Sequence, residues 1–146
     1  MVMINKLTIA AIFLLTVSAV VTVGQEMPKP ELRFVRVEDH TTNGNRVRTY
    51  TIEITNSSEF SDELFAASPD LPPCGKNENS SRTWINIYGN GGKRIYGWCG
   101  IHSNSELSLL KFNVFADATP PTEFFVDFVD RRKGKIVESN KVDIEE

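Results

Sequence analysis

Two cysteines and two histidines are the residues of this sequence whose types and spacing are best suited to chemistry. Cys99 and His102 stand three positions apart, a spacing at which a thiolate and an imidazole can share a zinc ion, and a complete site would also need Cys74 and His40. An even pair of cysteines in an exported chain more often forms a disulfide, because the compartment is oxidising. We therefore predict a Cys74–Cys99 disulfide and no metal ion, with the metal site as the alternative.

Hydrolytic chemistry has less support in the sequence. A Ser-His-Asp site needs a nucleophile on a strained turn, and no Gly-x-Ser-x-Gly elbow is present. Neither His40 nor His102 belongs to a recognisable catalytic pattern. We predict a protein with no catalytic residue and no cofactor. The alternative is a small secreted hydrolase or inhibitor that acts through loops near Cys74 and His102.

Aromatic side chains suggest a binding surface instead. Trp84 and Tyr88 share one face of a predicted strand, and Tyr96 and Trp98 share one face of the next. If Tyr88 pairs with Arg94, all four aromatic rings lie on the same face, whereas a shift of one residue in the turn would divide them. Such a strip suits a protein or carbohydrate partner.

The alternative for the aromatic strip is that it belongs to the core. Loops long enough to cover a sheet usually carry apolar side chains for that purpose. The covering residues would be Leu64, Phe65, Pro72 and Pro73. In the binding interpretation, a partner would meet the hairpin of residues 83–99 or the loops beside it.

The N-terminal segment has the pattern of an export signal. Lys6 precedes an uncharged apolar run over residues 7–23, and Gly24 is small enough to precede a cleavage site. We expect residues 1–24 to be a signal peptide and residues 25–146 to be a single domain, secreted or periplasmic and without membrane contact after cleavage. The alternative is an uncleaved anchor, although a membrane span needs about 20 apolar residues.

Composition places the chain among ordinary globular proteins. It has 146 residues, of which 40% are hydrophobic and 24% are charged, and its net charge is −3. Acids and bases are interspersed along the chain. Because no block of lysine and arginine is present, we expect no nucleic-acid partner.

The elements that must position these residues are predicted to be strands. Alternating apolar runs recur at the spacing of an all-β protein, with turn residues between them. The runs cover residues 31–38, 47–55, 83–88, 94–99, 107–115, 123–130 and 135–144. The polar stretch 39–45 and the Gly-Asn-Gly-Gly sequence at 89–92 predict hairpin turns. About seven strands favour an antiparallel β-sandwich over a small closed barrel.

Within these runs, alternation identifies the side chains that should face the core. The predicted core residues are Phe34, Ile52, Ile54, Ile85, Ile87, Leu110, Phe112, Val126, Phe128 and Val137.

Two segments resemble strands of the fibronectin type III and other immunoglobulin-like domains. Residues 120–128 and 137–142, on either side of a turn, are similar to the F–G hairpin, and residues 50–56 are similar to the B strand. The resemblance implies an immunoglobulin-like sandwich. The usual corner tyrosine is replaced by Phe124 or Phe125, and the cysteines are not at the immunoglobulin B and F positions, so the disulfide would be a different one.

A second resemblance covers roughly residues 60–115. Residues 68–75, 81–84, 87–88 and 95–99 together are similar to a set of small exported microbial proteins of unknown function. This similarity implies export and no particular activity. The function predicted from the sequence is therefore an exported, non-catalytic binding or adhesion module whose ligand is a protein or a carbohydrate.

Overall fold

The structure is a computed structural model that describes residues 26–76 and 79–144. The predicted signal peptide lies outside the described residues. The strands are β1 (Leu32–Thr42), β2 (Asn45–Ile54), β3 (Ala67–Ser68), β4 (Ser80–Ser81), β5 (Thr83–Tyr88), β6 (Arg94–Trp98), β7 (Leu110–Phe115), β8 (Glu123–Asp130), β9 (Lys135–Glu138) and β10 (Val142–Asp143). Short 3-10 turns cover Ser57–Glu59, Asp62–Phe65, Asn90–Gly92 and Asn104–Ser108. Within the described ranges, no helix has the length and apolar character that a membrane crossing requires.

The strands form two main antiparallel sheets, which confirms the all-β prediction. The smaller sheet has the order β1-β2-β7, and the larger has the order β10-β8-β5-β6, with β9 also paired to β8. A separate ribbon joins β3 to β4. The described strands outnumber the seven predicted because β3 and β4 are two-residue pairs and because the predicted last strand is split into β9 and β10.

The first hairpin has a shorter turn than the sequence suggests. The polar stretch 39–45 was predicted to be all turn, but β1 continues to Thr42 and pairs there with Asn45. Only Asn43 and Gly44 turn the chain, and both have positive φ, as such a two-residue turn requires. Pairing with β2 keeps this polar stretch extended.

The two main sheets enclose one hydrophobic core. Alternation along each strand sends one set of side chains inward, and every predicted core residue joins the core cluster. Phe34 and Val137 are only partly buried at its margin, whereas the other predicted core residues are buried. The rings of Tyr50 in β2 and Phe124 in β8 are nearly perpendicular, with centroids 5.2 Å apart, so aromatic contacts join the sheets.

The edge strands on the two sides of this pair of sheets have different partners. On one side, Asn140 interrupts the strand between β9 and β10, and its side chain accepts a hydrogen bond from the Leu32 amide and donates one to the Leu32 carbonyl. This pair of bonds links the larger sheet to β1. On the other side are β6 and β7, and in the described chain each pairs with a neighbour along one edge only. We call the β6–β7 side the open side.

Residues 56–76 have little regular structure. Phe60 and Phe65 of this segment reach the core, with ring centroids 5.1 and 6.2 Å from that of Phe128. Ser61 caps the short turn before Phe65 by accepting a hydrogen bond from the Glu63 amide. Two buried aromatic rings and the disulfide therefore hold the segment against the sheets.

Candidate functional site

The hairpin of β5 and β6 forms as the sequence predicts. Gly89 and Lys93 close the turn through a 2.9 Å hydrogen bond from the Gly89 amide to the Lys93 carbonyl. Tyr88 faces Arg94 across the two strands, which is the predicted pairing. Gly91 has a φ of 66° within the turn, a conformation that glycine adopts without steric cost.

A bulge beyond this pair divides the aromatic strip. The register shifts between Ile87 and Tyr88, so that Ile95 is an extra residue on β6. Ile87 then faces Tyr96, and Ile85 faces Trp98. The prediction that all four aromatic side chains share one face is wrong, because a one-residue insertion after Arg94 turns the rest of β6 over.

Trp84 and Tyr88 lie on the outer face of the larger sheet. Tyr88 stacks on Phe125 of β8, with ring centroids 4.9 Å apart and an angle of 10° between the planes. The guanidinium of Arg131 lies 4.3 Å from the centre of the Trp84 ring. The ammonium of Lys141 lies 5.7 Å from the centre of the Phe125 ring. These residues form a half-buried aromatic surface flanked by two cations.

A chain of hydrogen bonds crosses the same face. Arg94 donates from Nε to the Asn86 side-chain oxygen at 2.8 Å, and Asn86 donates to the Asp127 carboxylate at 2.8 Å. The Tyr88 hydroxyl donates to the other Asp127 oxygen, also at 2.8 Å. Gly97 gives the Arg94 guanidinium room to lie along β6, because a Cβ at Gly97 would overlap it. We call Arg94, Asn86, Asp127 and Tyr88 the polar rung.

The polar rung affects the chemistry of the Tyr88 phenol. Partial burial raises the pKa of Tyr88 above its ordinary value, and the hydrogen bond to the Asp127 carboxylate raises it further. Asp127 is only 6% exposed, although it belongs to the outer face. The phenol therefore stays protonated and donates to Asp127, which fixes the orientation of the ring.

Tyr96 and Trp98 lie on the inner face, at the margin of the core. Trp98 meets Phe112 of β7 edge-on, with ring centroids 5.9 Å apart. Tyr96 is 43% exposed at the open side, and its ring lies 6.4 Å from that of Phe112. Phe65, which was expected to cover the strip in the core alternative, instead packs under β8 against Phe128. The structure thus gives the two pairs of aromatic residues different surroundings.

The predicted disulfide is present, with the Cα atoms of Cys74 and Cys99 5.5 Å apart. Because Cys99 is bonded to Cys74, it is not available as a metal ligand, and the alternative of a Cys99–His102 zinc site is wrong for this state of the chain. Among the described residues no three potential metal-ligand side chains cluster together.

The two histidines lie on different elements of the fold. His102 lies exposed in the loop after Cys99, beside an open groove that it shares with Ala67, Asn79 and Gly100. His40 lies on β1 in the smaller sheet, where its Nδ1 is 3.3 Å from the Thr49 hydroxyl. The alternative of a hydrolase or inhibitor acting near Cys74 and His102 stays a prediction.

Several residues of the outer face were not predicted from the sequence. Phe125, Asp127 and Asn86 complete the surface around Tyr88, and Arg131 covers Trp84. The alternation of Phe124, Phe125, Val126, Asp127 and Phe128 contains the signal, because every second residue of β8 must face outward. Which strand lies beside β8, however, depends on pairing between distant parts of the chain.

An ion pair anchors the end of this sheet. Arg82 donates from Nε and Nη2 to the two carboxylate oxygens of Asp130, at 3.2 and 2.7 Å. Burial alone would raise the pKa of Asp130, but hydrogen bonds from Arg82 and from the backbone amides of Lys133 and Arg132 lower it below its ordinary value. The pair holds the β8–β9 turn, and with it Arg131, beside Trp84.

Comparison with protein-family models, curated proteins and solved structures finds no match to this chain.

Proposed function

We propose that this chain is an exported, non-catalytic binding module that contacts a protein or carbohydrate ligand through the outer face of its larger sheet. The observation that carries the proposal is the stacked pair of Tyr88 and Phe125, which lies on that face next to Trp84. Stacked, half-buried rings present apolar area at little cost in side-chain entropy on binding.

The polar groups beside the rings support the same proposal. Arg94, Asn86 and Asp127 are already joined by hydrogen bonds, so the surface is preorganised. Arg131 and Lys141 add positive charge at its two ends. An apolar centre with polar groups around it is the usual anatomy of a recognition surface.

Export is part of this proposal. The disulfide is compatible with an oxidising compartment such as the periplasm or the extracellular space. The sequence pattern of residues 1–24 supports the same location.

The immunoglobulin-like relationship also belongs to the proposal. The smaller sheet, β1-β2-β7, would correspond to strands A-B-E of such a domain. The larger sheet, β9 and β10 followed by β8, β5 and β6, would correspond to strands G-F-C-C′. The similarity of that order to a fibronectin type III sandwich supports this part of the proposal, together with the sequence resemblance over residues 50–56, 120–128 and 137–142. A fold of this kind often serves as a binding scaffold, although fold alone does not define a ligand.

The test uses the purified full chain on a glycan array and on immobilised extracts of the producing cells' surface. The double variant Trp84→Ala/Tyr88→Ala should lose retention on whichever ligand the unaltered chain binds. The control is Phe115→Ala, which removes a ring that is 64% exposed on the smaller sheet. Equal retention of the unaltered chain and the folded double variant would disprove the proposal, as would loss of retention in Phe115→Ala alone.

A further inference from the structure

The open side has the features of a site for an added strand. An edge strand directs the N–H and C=O groups of alternate residues away from its sheet, where they can pair with another chain. On the opposite side, the Asn140 side chain pairs with the N–H and C=O groups of Leu32 in β1. On the open side, β6 and β7 are the edge strands of the two sheets, and each has a single paired neighbour in the described ranges. Contacts of Tyr96 and Trp98 with Phe112 bring these two edges together.

A groove runs along the turn end of the open side. Its volume is about 640 Å³. The apolar lining comes from Ile95, Val114 and Pro121, which belong to the β6 bulge, to β7 and to the β7–β8 loop. Tyr96, 43% exposed, follows Ile95 along β6. Apolar side chains of an incoming strand would therefore find contacts in the gap between the two sheets.

Cations outnumber acids among the residues that line this groove. Lys93 and Arg94 line it at the start of β6, and Asp117 is the acid among its lining residues. The chain as a whole carries a net charge of −3. A local excess of cations in an acidic protein favours a partner that brings a carboxylate to this place.

We propose that β6 binds an extended, acidic segment of a partner protein by strand addition. The backbone of the segment pairs with the outer edge of β6, its alternate apolar side chains contact Ile95 and Val114, and a carboxylate lies near Lys93. This surface adjoins the outer face around Tyr88, because Arg94 lines the groove and also donates to Asn86 on that face.

The probe for this proposal is the synthetic peptide acetyl-Glu-Val-Thr-Val-Thr-Val-amide, added to the purified full chain. Hydrogen–deuterium exchange of the amides in β6 should slow by about tenfold when the peptide saturates the chain, because strand addition protects outward-facing N–H groups. Exchange in β1 should not change. Slower exchange confined to β5 and β8, or no change in β6, would overturn the proposal.

N-methylation of the peptide tests backbone pairing directly. One peptide carries N-methyl groups on its valines, and another carries them on its threonines. Because alternate residues of a strand face opposite edges, one modified peptide should lose binding and the other should keep it. Equal binding of both peptides would show that side chains alone hold the peptide, and strand addition would be excluded.

Charge reversal identifies the position of the carboxylate. Lys93→Glu should weaken peptide binding by roughly fivefold, the effect of about 1 kcal/mol at an exposed ion pair. Replacing the peptide's glutamate with lysine should restore affinity for this variant. The control is Lys29→Glu, which makes the same charge change on an exposed residue that does not line the groove. Equal weakening by both variants would contradict the proposed orientation.

A second copy of this chain is the competing occupant. If the full chain alone sediments as a dimer and the β6 amides exchange faster on dilution, the edge is filled by another β6, and the proposal of a foreign segment fails. A monomer whose β6 amides are slowed only by the peptide supports it.

Discussion

The Tyr88 phenol donates a 2.8 Å hydrogen bond to Asp127, which lies two residues along β8 from Phe125, the residue that Tyr88 faces. The Tyr88 side chain must therefore lie along the sheet to reach this carboxylate. In that position its ring stacks on Phe125, with 10° between the planes. A buried acid thus sets the geometry of the outer aromatic face.

Alkaline titration should reveal the Tyr88–Asp127 bond. The pKa of Tyr88 is raised above the ordinary value of about 10, first by burial and then by Asp127. Asp127→Asn removes the negative charge but leaves the burial, so we expect a partial fall in the pKa of Tyr88. Absorbance at about 295 nm follows phenolate formation, and Tyr88→Phe identifies the step that belongs to Tyr88.

The raised pKa also predicts how stability depends on pH. Because the folded protein holds the Tyr88 proton more tightly than the unfolded chain, this contribution is complete below about pH 10 and is lost as the pH rises through the folded value. The control for Asp127→Asn is Glu138→Gln, since Glu138 faces Asp127 across the strands and its charge has only a small effect on the pKa of Tyr88. An equal change in both variants would mean that general charge, and not the hydrogen bond, raises the pKa of Tyr88.

Acid should weaken the anchor of the β8–β9 turn. Asp130 is 2% exposed and its pKa is lowered overall, despite burial, by Arg82 and the two backbone amides. Its contribution to stability is present above the unfolded pKa of about 3.9 and is lost as the pH falls through the folded value. Asp130→Asn should cost about 3 kcal/mol in urea unfolding at neutral pH, and less as the pH falls through the folded pKa of Asp130, where the unaltered chain also loses the charge.

The control for Asp130 is Glu38→Gln. Glu38 pairs with Arg36 at the surface, where both side chains are about half exposed. Such a pair contributes less than about 1 kcal/mol, so this variant should unfold almost like the unaltered chain at every pH. If Asp130→Asn behaved in the same way, the Arg82–Asp130 pair would not anchor the turn.

The two tryptophans should differ in what they contribute to folding. Trp98 packs edge-on against Phe112 and joins the core margin, so Trp98→Ala should cost about 3 kcal/mol. Trp84 faces outward under Arg131, and we expect Trp84→Ala to cost about 1 kcal/mol. Urea unfolding of the two variants measures both costs. A larger cost for Trp84→Ala would assign Trp84 to the core and remove it from the proposed binding face.

Much of this fold could be predicted from local patterns. The alternation around Ile52, Ile85 and Phe128 identified inward side chains because strand geometry has a period of two residues. The turn at 89–92 and the disulfide followed from glycine content and from the even pair of cysteines. Each of these signals lies within a few residues or depends on residue type alone.

The features that the sequence did not reveal depend on one-residue offsets and distant partners. Residues 94–98 alternate in the same way with or without a bulge, so nothing local shows that Tyr96 turns inward. The hydrogen bonds of Asn140 to Leu32 join residues that are 108 positions apart. The packing of Ile95 against the β5–β6 turn depends on the same bulge. Replacement of Gly89 in that turn tests it.

Gly89 should be intolerant of a side chain because of Ile95. Its φ of −111° suits any residue, so the constraint is steric: a Cβ at Gly89 would lie 2.5 Å from the Ile95 Cδ1 and 3.3 Å from the Pro121 Cβ. Gly89→Ala should therefore cost about 1–3 kcal/mol in urea unfolding, the usual range for overpacking. Adding Ile95→Val removes the obstructing methyl group and should recover much of that loss. The control is Gly97→Ala, whose new methyl group would meet the Arg94 guanidinium and lie 2.9 Å from the Asn86 side-chain oxygen. Arg94 is exposed, so its side chain can swing away, whereas Ile95 is half-buried. A cost in Gly97→Ala as large as that in Gly89→Ala, or no recovery in the double variant, would contradict the bulge that places Ile95 over Gly89.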